Sequence, residues 1–437
     1  MRWLFPRSKQ RPMTSREHPS TWHILLASLS GTTIEFFDFY IYATASVLVF
    51  PSIFFPQSSP TSATLQSLAT FAIAFFARPI GSAIFGHMGD RLGRKATLVA
   101  ALMTMGISTI FIGLLPSYTT IGIAAPFALA LCRLGQGLGL GGEWGGAVLL
   151  ATEYAPPGQR ALYGMFPQLG APLGFLCSTS LFVILTHLLN HEEFIRFGWR
   201  IPFLASSLLV GLGLYVRLRL SETPVFKAMM AAEKRVAYPM MEVLQRHVRQ
   251  VMLGILVALP SFALFYLLTV FTLSWGTSHL GYTRARFLDF QITAVLFFAM
   301  CIPLSALLAE RYGRRRTLLG VSFLIIVYAL ALPDLLVAAN PSRIFAALCI
   351  GLGLMGLTYG PVGTVLSELF PARVRYTGAS IAFNGAGIFG ASLAPYLATW
   401  LASHYGLIAV GLYLASACLL SILALAFMNE SRNLAMD

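Results

Sequence analysis

The sequence GHMGDRLGRK, residues 86 to 95, separates two long apolar runs and returns in altered form in the second half of the chain. Its second copy is ALLAERYGRR, residues 306 to 315, which keeps the order acid, base, spacer, glycine, base, base. Ala306 and Glu310 stand in this copy where the first has Gly86 and Asp90. A long internal repeat predicts that the chain consists of two related halves.

Further matches occur in the same order along the chain. Glu153, Pro156 and Arg160 are matched by Glu368, Pro371 and Arg375, and Ser221-Glu222-Thr223-Pro224 is matched by Asn429-Glu430-Ser431-Arg432. Each match follows an apolar run, so the repeat extends over two complete halves and is not confined to one loop.

Composition places both halves in a lipid bilayer. The 437 residues are 57% hydrophobic and 11% charged, whereas soluble proteins carry about 25% charged residues. Twelve apolar runs reach the roughly 20 residues that a helix needs to cross a ~30 Å hydrocarbon core. We predict an all-α membrane protein whose twelve transmembrane helices form two pseudo-symmetric six-helix bundles. The predicted divisions are a tail at 1–22, a bundle at 23–219, a linker at 220–249, a bundle at 250–428 and a tail at 429–437.

The distribution of basic residues predicts the orientation. If both termini are cytoplasmic, the opposite face receives only five of the 30 Lys and Arg residues, namely Arg196, Arg200, Arg284, Arg286 and Arg343. Because positive residues concentrate in cytoplasmic loops, we predict a multi-pass protein of the cell inner membrane with both termini in the cytoplasm. The net charge of +13 then reflects topology and does not indicate a nucleic-acid partner.

The sequence carries no pattern for catalysis or for a cofactor. The five cysteines lie singly in apolar runs, which indicates neither disulfides nor a metal site. No Ser/His/Asp grouping is present, and the glycine-rich run of the fourth helix follows no strand, so it is not a nucleotide-binding loop. We therefore predict that the protein is not an enzyme.

The first predicted helix carries two acids, Glu35 and Asp38, near mid-bilayer. A charge at that depth costs about 2.5 to 3.5 kcal/mol, so such residues usually face a cavity or a partner. Spaced i and i+3, the carboxyls share one helix face, and two close carboxyls in a low dielectric do not both ionise cheaply. We predict that this pair carries a proton. The alternative is a structural pair neutralised by a basic neighbour.

Two arginines fall inside predicted helices. Arg78 lies in the second helix, and Arg133 shares a face with Gln136 in the fourth helix, which also contains Glu143. Arg133 is expected at about the depth of the two acids, where a proton and an anionic substrate compete for one basic partner. The glycines of the fourth helix indicate close packing. Substrate contact is the hypothesis for these four residues, and structural ion pairing is the alternative.

Four further polar side chains are expected in the interior. They are Gln168 in the fifth helix, Tyr266 in the seventh, Tyr359 in the tenth and Asn384 in the eleventh. Each is a hypothetical substrate contact, and for Tyr266, Tyr359 and Asn384 ordinary hydrogen bonding between helices is the alternative.

Together these residues resemble the major facilitator superfamily and, within it, the metabolite:proton symporters, which include permeases for proline and betaine, citrate, shikimate and 2-oxoglutarate. The resemblance covers about residues 22 to 432 and rests on the repeated loop, on Glu35-Phe-Phe-Asp38, on Ala77-Arg78-Pro79, on the run from Arg133 to Glu143 and on Gly198-Trp-Arg-Ile-Pro-Phe203. It implies two bundles that rock about a cavity lined by Glu35, Asp38 and Arg133. It also implies a cytoplasmic gate formed by Gly86, Asp90, Arg91, Gly93, Arg94, Glu153, Arg160, Glu310, Arg311, Glu368 and Arg375.

We therefore predict a monomeric proton-coupled symporter that imports a small polar metabolite, an organic acid or a zwitterion. Its partners are that metabolite, a proton and the lipid bilayer, and it needs no cofactor or metal ion. A proton antiporter that exports drugs or cations is the first alternative, because Glu35, Asp38 and Glu143 attract cations, although Arg133 argues against it. A nutrient sensor built on a transporter fold is the second alternative.

The predicted orientation is tested by reporter fusions. Green fluorescent protein fused after residue 437 is expected to fluoresce, and alkaline phosphatase fused at the same point is expected to be inactive, because both termini are predicted to be cytoplasmic. Fusions after Arg343, on the predicted opposite face, serve as the control and are expected to give the reverse result. Active phosphatase at residue 437 would contradict the orientation.

Overall fold

The structure is a computed structural model that describes residues 21–92, 94–156, 158–219, 239–337 and 340–432. Over these ranges it contains helices and turns and no strands. The first bundle consists of α1 (Thr21–Leu48), α2 (Pro60–Leu92), α3 (Arg94–Leu114), α4 (Ala124–Gly141 continued by Trp144–Glu153), α5 (Arg160–Leu188) and α6 (Arg200–Arg219).

The second bundle repeats this arrangement. It consists of α7 (Val248–Tyr266, π-helical Leu267–Phe271 and Thr272–Ser278), α8 (Arg284–Tyr312), α9 (Arg314–Leu335), α10 (Pro341–Glu368), α11 (Arg375–Gly387, π-helical Ile388–Ser392 and Ala394–Tyr405) and α12 (Leu407–Ala426). Short helices at Phe50–Phe54, Tyr118–Ile121, His191–Glu193 and Pro239–Arg246 connect these elements, together with a π-helical turn at Phe194–Gly198 and a 3₁₀ turn at Ala372–Val374.

Most of these helices are long and apolar enough to cross a membrane. Ten helices of the described chain meet that condition by length and composition, and a pair bent by 42°, His191–Gly198 with Arg200–Tyr215, gives an eleventh. The remaining helix is α4, which is interrupted between Gly141 and Trp144 and buries Arg133, Gln136 and Glu143. The predicted all-α class is confirmed.

The packing of the helices repeats between the two halves. In the first bundle α1 packs on α5, α2 on α4 and α3 on α6, and in the second α7 packs on α11, α8 on α10 and α9 on α12. Across the interface α5 packs on α8 and α2 on α11. Each contact becomes its counterpart when the halves are exchanged, which is the pseudo-two-fold relation that the sequence repeat predicts.

Parts of the predicted tails and linker lie outside the described residues, namely 1–20, 220–238 and 433–437. Within the predicted linker the structure has the helix Pro239–Arg246, which buries Pro239 and Val243. α7 begins at Val248, two positions before the predicted bundle boundary at residue 250.

Glycines allow the backbones of α2 and α4 to touch. A Cβ atom on Gly137 would lie 2.6 Å from the Cα atom of Ala74 and 2.7 Å from the Cβ atom of Ala77, and one on Gly141 would meet the backbone of Arg78. The glycines of α4 therefore form a tight helix interface, as the sequence indicates. This contact fixes Arg78 on α2 and Arg133 on α4 beside each other.

The close contact makes Gly137 intolerant of a side chain. We expect Gly137→Ala to lower the free energy of unfolding by about 1 to 3 kcal/mol, because the added methyl group overpacks the α2–α4 contact. Gly211→Ala on α6 is the matched control, since its Cβ atom would have no neighbour within 4 Å. Thermal unfolding in detergent measures both, and equal stability of the two variants would contradict the packing argument.

Candidate transport site

An aromatic cluster fills the centre between the two bundles. The ring centroids of Phe39 and Phe75 lie 6.2 and 5.5 Å from that of Tyr266 in α7. On another side of the centre, Trp144 of α4 stacks on Phe383 of α11 with ring centroids 3.5 Å apart. Since rings from both bundles contribute, a polar side chain within this cluster faces both halves.

Arg78 points into this aromatic centre. Its guanidinium carbon lies 4.5 Å from the ring centroid of Phe39 and 4.7 Å from that of Phe75, a cation–π arrangement. The charge of Arg78 acts on Glu35 of α1 and on Tyr266 and Tyr359 of the second bundle. Within the described part of the chain, its Nε atom is buried without a hydrogen-bond partner.

Arg133 is also held by rings and lies within the first bundle. Its guanidinium carbon is 4.0 Å from the ring centroid of Tyr42 and 4.3 Å from that of Phe39. Nη1 donates to Oε1 of Gln136 at 2.8 Å, and Nε donates to the carbonyl of Phe71 at 3.4 Å. Its Nη2 atom has no partner among the described residues. Arg133 therefore keeps one buried donor that the surrounding protein does not use.

The two acids of α1 face different neighbours. Glu35 and Asp38 are both buried. The cations whose charge acts on Glu35 are Arg78 and Arg217, whereas Asp38 faces the hydroxyls of Ser206 and Thr109. The shared face that the i, i+3 spacing suggests is thus divided between two environments, because arginines of α2 and α6 act on Glu35 whereas hydroxyl residues of α3 and α6 face Asp38.

A chain of side chains connects Arg133 to the neighbourhood of Asp38. Gln136 accepts from Arg133 and donates through Nε2 to Oγ1 of Thr109 at 2.7 Å. Thr109 is one of the two hydroxyl residues that face Asp38. The row ends at Thr109, because its hydroxyl donates to the carbonyl of Met105 at 3.0 Å and both oxygens of Asp38 lack a hydrogen-bond partner among the described residues. Asp38 therefore lies beside the end of this polar row inside the first bundle, and Glu35 belongs with Arg78 at the interface between bundles.

Two of the predicted amides connect the bundles. Gln168 accepts from Nε1 of Trp144 at 3.1 Å and donates to the carbonyl of Tyr359 at 2.9 Å. Asn384 donates to the hydroxyl of Ser82 at 2.8 Å. Hydrogen bonding between helices, the alternative given for Asn384, is thus present at both residues. Their contact with substrate stays a prediction.

Two buried polar residues escaped the sequence analysis. Arg217 was assigned to the cytoplasmic basic residues, but it is 6% exposed and forms an ion pair with Glu143. Gln291 donates to the carbonyls of Leu268 and Thr269 at 3.2 and 2.7 Å, where the π-helical turn of α7 frees these acceptors. The available signals were the position of Arg217 inside an apolar run and the isolated amide of Gln291 at the start of another.

The side of the molecule where α1 begins and α12 ends is called the termini side. Here Glu310, at the end of α8, accepts the backbone N–H of Ala161 of the other bundle at 2.6 Å. Glu310 is held by Arg314 at 3.0 Å, and Arg314 also reaches Glu368 at 3.4 Å. Arg160 completes the group at 3.7 Å from Glu368. Four charged residues therefore join the bundles at the N-terminal end of α5.

The structure explains the order of residues in the second copy of the repeated loop. Gly313 has a φ angle of 98°, which favours glycine and turns the chain sharply between α8 and α9. Arg314 thereby returns over Glu310, four residues earlier. Glu430 accepts the backbone N–H groups of Arg314 and Arg315 at 2.9 and 3.1 Å and caps α9. The match between Glu222 and Glu430 in the sequence thus corresponds to a helix cap in the second half.

The structure describes only some of the remaining predicted gate residues. Gly93 and the side chains of Asp90, Arg91 and Arg94 lie outside the described part of the structure. Gly86 faces Thr377 and Tyr376 of α11, with 3.8 and 3.9 Å between these side chains and a Cβ atom built on Gly86. Three predicted gate residues lie near the helix ends. Glu153 is half-buried at the end of α4, Arg375 donates to the carbonyl of Phe370 at 3.1 Å, and Arg311 lies over the ring of Tyr312 at 5.4 Å.

Two related six-helix bundles, a polar and aromatic centre between them and charged contacts at one side define the chain as a membrane transporter of the major facilitator fold. The family profile described as "Sugar (and other) transporter" matches residues 23–435. The chain belongs to this family of the major facilitator superfamily, and it is a metabolite transport protein, not an enzyme.

Individual relatives agree with this assignment. The chain is 57% identical over 415 residues to the inner membrane metabolite transport protein YhjE of Escherichia coli (strain K12), with 94% of each chain covered. It is 36% identical over 417 residues to the shikimate transporter of the same strain, with 93% of this chain and 94% of the relative covered. The solved structure of the proton:xylose symporter XylE bound to 6-bromo-6-deoxy-D-glucose shares the fold, with a TM-score of 0.72, 18% identity and 93% and 95% of the two chains covered.

The charged contacts of the termini side are expected to stabilise the fold. Glu310→Gln removes the acid that holds buried Arg314, and breaking a buried pair costs about 3 to 5 kcal/mol. Glu242→Gln is the control, because Glu242 pairs at 2.9 Å with Arg373, whose side chain is 54% exposed, and such pairs contribute about 0 to 1 kcal/mol. Thermal unfolding in nanodiscs measures the difference, and equal losses would show that the Glu310 group is not a stabilising network.

Proposed function

We propose that this protein is a proton-coupled symporter that imports a small organic acid or a zwitterion. The observation that carries the proposal is the position of Arg78. Its guanidinium lies between the two bundles, is surrounded by Phe39 and Phe75, and keeps a buried donor without a partner in the described chain. A planar guanidinium in such a site is suited to bind a carboxylate through two parallel hydrogen bonds.

The centre offers further groups to a substrate that binds Arg78. Tyr266 and Tyr359 lie within range of its charge from the second bundle, so one bound molecule would contact both halves. Arg133 supplies a second guanidinium behind Phe39. In support, a relative that is 36% identical is named a shikimate transporter, and shikimate is a carboxylic acid.

Glu35 supplies the coupling to a proton in this proposal. Arg78 is the first of the two cations that act on its carboxyl. When a substrate carboxylate binds Arg78, this carboxylate and Glu35 share the positive charge of Arg78. Protonation of Glu35 then removes the repulsion between the two negative groups. Substrate and proton therefore favour each other's binding, which is the requirement for symport. Asp38, which lies beside Thr109, is the second candidate for the proton.

The same centre disfavours the export of cations. Arg78 and Arg133 are both buried there, and their positive charge repels a cationic drug more strongly than exposed arginines would, because the dielectric constant is low. In this proposal the cytoplasmic gate consists of the first copy of the repeated loop and of the contacts among Glu310, Arg314, Glu368 and Arg160. They separate as the bundles rock, as alternating access requires.

Purified protein in liposomes that contain a pH dye tests the proposal. Small acids, zwitterions and lipophilic cations are added outside one at a time. We expect one acid or zwitterion to acidify the lumen and to be taken up with it. Arg78→Gln is expected to weaken the apparent affinity about tenfold to a hundredfold, because a hydrogen bond to a charged group contributes about 1.5 to 3 kcal/mol. Glu35→Gln is expected to abolish proton-driven accumulation but to retain exchange of substrate across the membrane.

Exposed Arg343→Gln serves as the control and is expected to transport like the parent protein. Unchanged proton-driven accumulation in Asp38→Asn would remove Asp38 as a coupling residue. Alkalinisation of the lumen on addition of a lipophilic cation would instead support the antiporter, and ligand binding without any transport would support the sensor.

A further inference from the structure

The interruption of α4 lies where three other helices meet. α4 stops at Gly141 and resumes at Trp144, and the N–H of Glu143 bonds to the carbonyl of Leu140 at 3.3 Å in place of the regular helical bond. Because the helix is broken here, the carbonyl of Gly142 is available to a partner outside α4. The hydroxyl of Tyr376 in α11 donates to this carbonyl at 2.6 Å.

Arg217 of α6 holds the same interruption from inside the first bundle. Its Nη2 atom pairs with Oε1 of Glu143, and its Nη1 atom donates to the carbonyl of Leu98 in α3 at 2.7 Å. Its guanidinium also lies against Gly31 of α1, where a Cβ atom would be 3.2 Å away. A single side chain thus connects α1, α3 and α4.

Glu35 lies one helical turn beyond Gly31, on the same face of α1. Arg217 is the second cation that acts on its carboxyl, after Arg78. Glu35 and Glu143 therefore compete for Arg217, and in this structure Arg217 forms its ion pair with Glu143. The other titratable groups near Glu35 in the described chain are the phenols of Tyr40 of α1, Tyr266 of α7 and Tyr359 of α10, which are uncharged at neutral pH.

The closure between bundles depends on this interruption. Gly145 and Gly146 follow it and allow α11 to approach, with Ser380 against Gly145 and the ring of Tyr376 3.3 Å from a Cβ atom built on Gly146. The Tyr376 hydroxyl, which is uncharged at neutral pH, also lies near the Arg217 guanidinium. A shift of Glu143 therefore moves the acceptor of Tyr376 and the surface on which α11 rests.

We propose that the Arg217–Glu143 pair couples the protonation of Glu35 to the closure of the termini side at Tyr376. This inference rests on the proposed proton-carrying role of Glu35. When Glu35 is protonated, Arg217 stays with Glu143 and the interruption holds Tyr376. When Glu35 loses its proton, its carboxylate draws Arg217 away, Glu143 moves and the closure weakens.

The coupling is reciprocal, as any equilibrium linkage must be. Opening of the termini side favours release of the proton from Glu35, and closure favours its uptake. This direction suits import, because the proton then leaves on the side that opens to the cytoplasm. Arg217 and Glu143 are positioning residues in this scheme and do not contact the substrate.

Labelling of a cysteine at position 380 measures the closure without a substrate. Ser380→Cys is introduced after the five native cysteines, Cys132, Cys177, Cys301, Cys349 and Cys418, are replaced by alanine, and the protein is placed in nanodiscs with a polyethylene glycol maleimide. After correction for the intrinsic reactivity of a free thiol at each pH, we expect labelling at least about fivefold faster in alkaline than in acidic buffer, the lower end of ordinary coupling energies.

Two variants with neutral amides remove the proposed coupling, and the double variant removes both charges of the ion pair together. The pH dependence is expected to disappear in Glu35→Gln and in the double variant Arg217→Gln/Glu143→Gln. Tyr376→Phe is expected to speed labelling in acidic buffer. The matched control is Arg343→Gln/Glu192→Gln, which removes one charge of each sign from exposed positions and is expected to behave like the parent.

The outcomes separate this inference from the proposed function. If the double variant keeps the pH dependence of the parent while Glu35→Gln loses it, the coupling role of Arg217 and Glu143 is wrong and proton carriage by Glu35 stands. Labelling of the parent that does not depend on pH would also overturn the inference, and the liposome assay would still decide symport independently.

Discussion

The burial of charge in the first bundle is the constraint on which the rest of the structure depends. Glu35, Asp38, Arg78 and Arg133 lie within a membrane-spanning bundle, where an unsatisfied ion is costly. A different kind of neighbouring group lies against each charge. Aromatic rings face the two guanidinium groups, hydroxyls face Asp38, and arginines of α2 and α6 act on Glu35. Glycines on α4 make this possible, because they bring the backbone that carries Arg133 against the backbone that carries Arg78.

The two halves share their packing but not their chemistry. Every principal helix contact of the first bundle has a counterpart in the second, yet the buried charges at the centre come from the first. The second bundle contributes Tyr266, Tyr359 and Asn384, which add polar groups at low cost of desolvation. Such a division suits the proposed alternating access, since the network of buried charges stays within the first bundle when the second bundle moves against it.

The repeated loop has a structural explanation in the second half. Glu310 meets the first free N–H groups of α5, a position at which a helix favours negative charge. Arg314 holds that acid in place, and Gly313 allows the turn that brings the two together. Ala306 lies with Ala161 and Ala309 in one small cluster, so the small residue at this position serves the approach of α5. Alanine at position 306 and glutamate at position 310 thus both serve the contact between bundles.

The sequence by itself determined the class, the two-fold repeat, the number of spans and the identity of the buried charges at Glu35, Asp38, Arg78, Arg133 and Glu143. Hydropathy and motif order carry that information, because the cost of placing a residue in lipid depends on the residue and its position along one helix. The tertiary structure alone decided which partner each charge meets. Spacing places Glu35 and Asp38 on a common face, but only the packing of α2, α3 and α6 around α1 assigns them different neighbours. For the same reason the ion pair of Arg217 could not be predicted, since its partner Glu143 lies on another helix and at an interruption that no local sequence pattern indicates.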